Sequence, residues 1–172
     1  GVCIEDTALP TDEAYPFDLA VERIKAASAA ARTIPGGIFL LARADGVMNA
    51  AYDIEEALRR VRAFHAAGAD GLYVPLPKTV DDLARVVAAT ERPVNALAVG
   101  KYAKMTKAEF AAMGIARISL GTGIARATHR VIVDVGRQIL SDGDFSGLLQ
   151  GISGDTVDDL LEQGSPHLKL VT

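Results

Sequence analysis

The most restrictive feature of this chain is an alternation that repeats along most of its length. Short, largely apolar runs alternate with longer runs whose apolar residues recur at helical spacing. The short runs are residues 1–4 (GVCI), 38–42 (IFLLA), 71–74 (GLYV), 94–99 (VNALAV) and 117–120 (RISL). In 38–42 both parities are apolar, as expected of a strand covered on both faces. Between the runs, Phe17, Ala20, Val21, Ile24 and Ala27 mark a helix over 17–32. Asp53 with Glu56 has the pattern of a capping box for a helix running to about Ala67 and stopping at Gly68. Helices are also predicted over 80–90, 106–113 (Thr106 capping, Glu109 at the box position), 124–140 and 156–162.

Such alternation predicts a parallel sheet flanked by helices. Two architectures have it: an open doubly wound sheet, or part of a (β/α)8 TIM barrel. No Gly-x-Gly-x-x-Gly turn follows the first run, so a dinucleotide fold has little support. Polar residues gather directly after the strands, at Glu5-Asp6, Arg43/Asp45, Lys101 and Thr122, and barrel active sites lie at that end. The expected fold is therefore α/β, a partial (β/α)8 barrel of about five βα units over 1–143. A C-terminal helical extension and tail cover 144–172. A whole barrel takes ~250 residues, against 172 here. The expectation is of a fragment lacking N-terminal units, since Gly1 opens inside an apolar run.

Composition narrows the function classes. A pI near 5.4 and a net charge of −4 argue against a broad nucleic-acid binder. No apolar run approaches the length of a membrane span. The one cysteine, Cys3, excludes an internal disulfide and a cysteine-rich zinc site, and it reads as a small buried hydrophobe. No signal peptide is seen, and a reducing, cytoplasmic setting is expected.

Several residues could carry chemistry. Glu5 and Asp6 are adjacent at a strand end, so they should point to opposite sides, one toward the barrel mouth and one toward the wall. A carboxylate in the mouth could bind Mg2+; the alternative is a capping or salt-bridging pair. Arg43 and Asp45 share a parity. Arg43 could clamp a carboxylate or phosphonate, or pair with Asp45 at the rim. Gly121-Thr122-Gly123 precedes a long helix and could offer backbone N–H groups to an oxyanion, or be a plain turn. Asn95 lies in an apolar strand, where a buried amide needs partners, either substrate or neighbouring backbone. Lys101 follows the same strand and could meet an anion, or be an exposed loop lysine, the commoner outcome. His65, His129 and His167 lack a second ligand at metal spacing, and no Ser-His-Asp pattern or nucleophile elbow appears.

Taken in order, residues 1–6 (GVCIED), 41–45 (LARAD), 67–75 (AGADGLYVP), 93–97 (PVNAL) and 114–121 (GIARISLG) resemble the isocitrate lyase/phosphoenolpyruvate mutase superfamily. The likeness is to its small members, the carboxyvinyl-carboxyphosphonate phosphorylmutase-like and methylisocitrate-lyase-like proteins. It implies a barrel that binds Mg2+ and small keto or hydroxy carboxylates, or phosphonates, and makes or breaks C–C or P–C bonds. By the resemblance, Glu5 belongs to the metal's ligand shell. Arg43 is the catalytic arginine on the substrate's anionic group. Asn95, Gly121 and Thr122 are substrate-binding candidates. C-terminal helices packing on a neighbouring subunit imply a homo-oligomer. Residues 7–12 (TALPTD) lack the Lys-x-Cys-Gly-His motif of the lyases' gating loop. The strand that carries the family's main metal-binding aspartates has no counterpart here. Two alternatives stand beside this reading: a non-catalytic half-barrel that pairs with another copy or a separate N-terminal half, and a phosphate-binding half-barrel resting on residues 121–123.

Overall fold

A computed structural model describes residues 1–164 of the protein; His167 and the rest of the tail lie outside the described residues. Five strands form one sheet: β1 (Val2–Ile4), β4 (Leu40–Arg43), β5 (Gly71–Tyr73), β6 (Val94–Leu97) and β7 (Arg117–Ser119). A two-stranded antiparallel hairpin, β2 (Thr7–Ala8) and β3 (Glu13–Ala14), lies between β1 and the first helix. The helices are α1 (Phe17–Thr33), α2 (Ile54–Ala66), α3 (Val80–Ala88), α4 (Lys107–Ala112), α5 (Gly123–Asp142) and α6 (Gly154–Gly164).

All pairs in the large sheet are parallel, and each strand pairs with the one before it in the large sheet, in the order β1-β4-β5-β6-β7. A doubly wound sheet reverses direction partway across. This sheet does not, so it is the barrel-type order. The predicted strands and helices all form, with ends shifted by at most two residues. The hairpin after β1 has no counterpart in the sequence reading, because two-residue strands leave no periodic signal.

The core lies between one face of the sheet and its helices. Leu40, Ala42, Leu72, Val94 and Ala96 have one parity and point to that face. There they pack with Ala20 and Ile24 of α1, Val61 and Phe64 of α2, Val86 of α3 and Phe110 of α4. The opposite face carries Cys3, Arg43, Tyr73, Asn95, Arg117 and Ser119, as the strand register dictates. Coverage on both faces holds for β4, β5 and most of β6. It fails at the edges: Val2 is 41% exposed, and Arg117 is exposed. Cys3 is likewise exposed, contrary to the buried hydrophobe expected. It sits on an edge strand and faces away from the helices, so no helix covers it.

Local caps follow the sequence with one departure. Thr106 and Glu109 form the full capping box of α4. At α2 the Asp53 carboxylate accepts from Glu56 N at 3.0 Å. The Glu56 side chain, however, turns to Arg59 and Arg60 instead of back to the cap. By packing, residues 1–121 form one compact unit and the described residues from Thr122 onward another. That division falls one helix earlier than the one read from the sequence pattern, at 143/144. None of the residues of α5 or α6 is buried.

Candidate active site

Arg43 closes β4 and points to the polar face of the sheet. Its Nε donates to Asp45 Oδ1 at 3.1 Å, and its Nη2 lies 3.1 Å from Asp45 Oδ2. Its Nη1 lies 2.6 Å from Glu5 Oε1. The guanidinium also sits 5.2 Å from the centroid of the Tyr73 ring. The parity argument for Glu5, Arg43 and Asp45 therefore holds, and the structure brings the three together. Asp45 occupies the Nε–Nη2 edge of the fork, and Glu5 takes one side of Nη1. Of these contacts, the Nε–H to Asp45 is the hydrogen bond, and Nη1 and Nη2 meet Glu5 and Asp45 at ion-pair distance. The Arg43 side chain keeps 22% of its surface in solvent.

Burial sets the electrostatics. It works against the Arg43 charge, but Asp45 and Glu5 more than offset this and raise the Arg43 pKa. Asp45 is 2% exposed. Its burial, with Glu5 and Asp6 adding, outweighs the pull of Arg43 and pushes its carboxyl up to about 6. Burial also raises the Tyr73 phenol above its ordinary value.

Asp6, next to Glu5, points the other way, into the wall. It is 2% exposed and fully engaged. Its Oδ1 accepts from Asp45 N at 2.8 Å. Its Oδ2 accepts from Tyr52 Oη at 2.6 Å and from Arg60 Nη1 at 2.9 Å. Arg60 also donates to Glu56 at 2.9 Å and to the Tyr15 carbonyl at 3.0 Å. Its guanidinium lies 4.6 Å from the Tyr52 ring centroid. Burial, then the Asp6 carboxylate, raise the Tyr52 pKa well above a phenol's usual value. Gly46 is required beneath that ring, because a Cβ there would overlap the Tyr52 ring carbons.

Asn95 is 1% exposed. It lies beside Tyr73 and Arg117 in the register and is satisfied by side chains rather than backbone. Its Nδ2 donates to Ser119 Oγ at 3.0 Å, and its Oδ1 accepts from Arg117 Nη1 at 3.1 Å. Arg43, Tyr73, Asn95 and Arg117 thus form one row across four strands. Gly121 is exposed, with a left-handed φ of 52°, and a Cβ there would meet Leu97 at 3.3 Å. Thr122 belongs to the C-terminal unit. Its carbonyl accepts from Arg126 N at 2.8 Å and its side chain makes no cap bond. Lys101 is exposed and donates to the Lys78 carbonyl.

Sequence reasoning missed Arg60, Tyr52, Arg117 and Ser119. Arg60 did leave a signal: with Ala57, Val61 and Phe64 it falls on the buried stripe of α2, where an arginine must have a partner. The other three leave none, because each sits at an element end or in a turn where polar residues are ordinary.

Among the described residues no group of three or more His, Cys, Asp or Glu side chains could hold a metal ion. Glu5 is one carboxylate already bonded to Arg43, and Asp6 and Asp45 are spent on Arg60 and Arg43. Mg2+ is commonly held by one or two carboxylates together with water and substrate. The residues present can thus contribute a ligand but do not make a metal centre by themselves.

A sequentially ordered parallel sheet with an arginine–carboxylate cluster at its strand ends has the layout of an α/β-barrel enzyme site. The chain belongs to the phosphoenolpyruvate phosphomutase family, whose model matches residues 1–140. The petal death protein of Dianthus caryophyllus is 32% identical over 142 residues, covering 78% of this chain and 44% of that protein. The chain therefore spans less than half the length of that curated relative. The crystal structure of a Burkholderia cenocepacia protein, described at the level of lyase/mutase, superposes with a TM-score of 0.86 at 31% identity. That match covers 92% of this chain and 58% of the other. A phosphonopyruvate hydrolase solved with oxalate and Mg2+ shares the fold at TM-score 0.72 and 23% identity, over 96% of this chain and 62% of that one.

Proposed function

We propose that this chain carries the anion-holding part of an enzyme that cleaves or rearranges C–C or P–C bonds in small keto or hydroxy carboxylates or phosphonates. The observation that supports it most is the Arg43 guanidinium. It is fixed by Asp45 and Glu5 at the end of a barrel-type strand, with its terminal N–H groups held only at ion-pair distance and part of the side chain in solvent. In this reading the substrate carboxylate binds those N–H groups. When the C–C or P–C bond breaks, its electron pair moves onto the carbon beside the carbonyl and gives an enolate, while the other fragment departs as a carbonyl compound once its hydroxyl has lost a proton to solvent, or as a phosphoryl group taken up by water or by the enolate oxygen. Arg43 then shares the charge of the enolate and its carboxylate, and a pre-positioned cation lowers that barrier without reorganising. Asn95 holds the floor of the row, and Gly121 is proposed to border the substrate.

Mg2+ enters this reading as an added Lewis acid, with Glu5 as this chain's contribution to its ligand shell. The homologous lengths that extend beyond the matched segment in the relatives are the proposed source of the remaining ligands. A cytoplasmic homo-oligomer completes the reading, with exposed apolar residues such as Ile132, Leu160 and Leu161 as the proposed contact surface.

Isothermal titration with oxalate, with and without Mg2+, tests the proposal on wild type and Arg43→Lys. Oxalate binding by wild type is expected, tighter with Mg2+ where Glu5 and the bound oxalate hold the ion together with water, and weakened about tenfold or more in Arg43→Lys, because lysine cannot reproduce the fork. Equal binding by both proteins removes Arg43 from the site.

A further inference from the structure

We infer that Arg60, on the helix that covers the opposite face of the sheet, is a positioning residue for Arg43 and acts through Asp6. The connection is continuous. Arg60 Nη1 holds Asp6 Oδ2 at 2.9 Å, and Asp6 Oδ1 holds the Asp45 N–H at 2.8 Å. The Asp45 side chain holds Arg43 at 3.1 Å. Every link but the last is out of solvent: the Arg60 and Asp6 side chains are 5% and 1% exposed, and Asp45 is 2% exposed.

Orientation accounts for the arrangement better than net stability does. Burying an ion pair yields little net stability compared with apolar packing. Here the pair occupies the apolar stripe of α2, where a hydrophobic side chain would serve stability as well. What an apolar side chain would not do is fix the two ends of the loop that carries Asp45. Asp6 meets that loop at its first N–H through Oδ1, and through Oδ2 at Tyr52, seven positions later. The loop opens with a short 3-10 turn, Asp45–Val47, with no side-chain cap at its start. Its entry geometry is therefore supplied from outside by Asp6. Since Glu5 and Asp6 alternate across the strand, the same anchor keeps Glu5 turned toward Arg43. Both carboxylates that grip Arg43 are thus set by one buried pair.

Nuclear magnetic resonance of the arginine side chains tests this directly, and its reading does not depend on the proposed function. The Arg43 Nε–H, bonded to a buried carboxylate, is expected to exchange slowly with solvent. In Arg60→Met its exchange should rise about tenfold or more, while Arg60→Lys, which keeps a cation for Asp6, should stay closer to wild type. If Arg60→Met does not fold, the Asp6→Asn/Arg60→Met double variant, which leaves no buried charge behind, is read in the same way. A folded variant whose Arg43 Nε–H exchanges within twofold of wild type overturns the inference, whatever its thermal stability. Oxalate titration adds a second arm that rests on the proposed function. Weaker binding in Arg60→Met is expected. Wild-type affinity in Arg60→Met alongside a loss in Arg43→Lys also overturns the positioning role. Failure of every protein to bind oxalate refutes the functional reading alone, and the exchange measurement still decides this one.

Discussion

Asp45 should make the protein less stable as the pH rises through mild acidity, and Asp45→Asn should remove that dependence. Burial pushes the carboxyl from its ordinary 3.8 up to about 6. The folded chain therefore holds a proton that the unfolded chain has released. A raised carboxyl pKa gives stability that is fully present below the unfolded value and lost as pH climbs through the folded one. The window runs from about pH 4 to somewhat above pH 6. At about 1.4 kcal/mol per pH unit, an interval from 3.8 to about 6 amounts to roughly 3 kcal/mol. Asp45 is 2% exposed, so solvent screening does not reduce this much. The assay is urea denaturation followed by circular dichroism, at half-unit steps from pH 4 to 7, for both proteins. Asp45→Asn puts a neutral amide where the folded wild type holds a neutral carboxyl at mildly acid pH, so its curve should lack the Asp45 decline. Wild-type stability relative to Asp45→Asn should therefore fall by roughly 3 kcal/mol from about pH 4 toward neutral pH. Two parallel curves would refute the reasoning, because the Arg43 attraction would then balance burial.

Two further changes probe the support of the site. Gly46→Ala drives a methyl group into the Tyr52 ring; overpacking should cost about 1–3 kcal/mol in chemical denaturation. It should also lengthen the Tyr52–Asp6 hydrogen bond, and an unchanged phenol environment in ultraviolet difference spectra would count against that. Phe64→Ala empties a site that is 0% exposed, at the centre of the sheet–helix core. A loss of about 3–5 kcal/mol is expected from denaturation curves, and a loss below about 1 kcal/mol would mean the core closes over the gap.

Parts of the site are legible in the sequence because strand geometry is local. Alternation along a strand places Glu5 opposite Asp6 and puts Arg43 with Asp45, and the structure shows both. That parity is what marks Arg43 as a candidate. Its other partner, Glu5, lies at the end of a neighbouring strand, and only the β1–β4 register brings the two together. Asn95 reads as a buried amide in need of partners, but its partners Ser119 and Arg117 come from β7, and no spacing in the sequence foretells that pairing.

The sequence by itself determined the order and type of the main elements, the caps at Asp53 and Thr106, and the face of the strand on which each candidate side chain stands. These depend on neighbours within a turn or a strand, whose distances the backbone sets. The tertiary structure alone decided that Asp6 would meet Arg60 across 54 positions, that Glu56 would leave its cap to join Arg60, and that Cys3 would face away from the helices. Those outcomes turn on strand register and on how α2 packs over the sheet. A charge placed on a buried stripe must find a counter-charge there, and only the assembled sheet and helices bring one within hydrogen-bond distance.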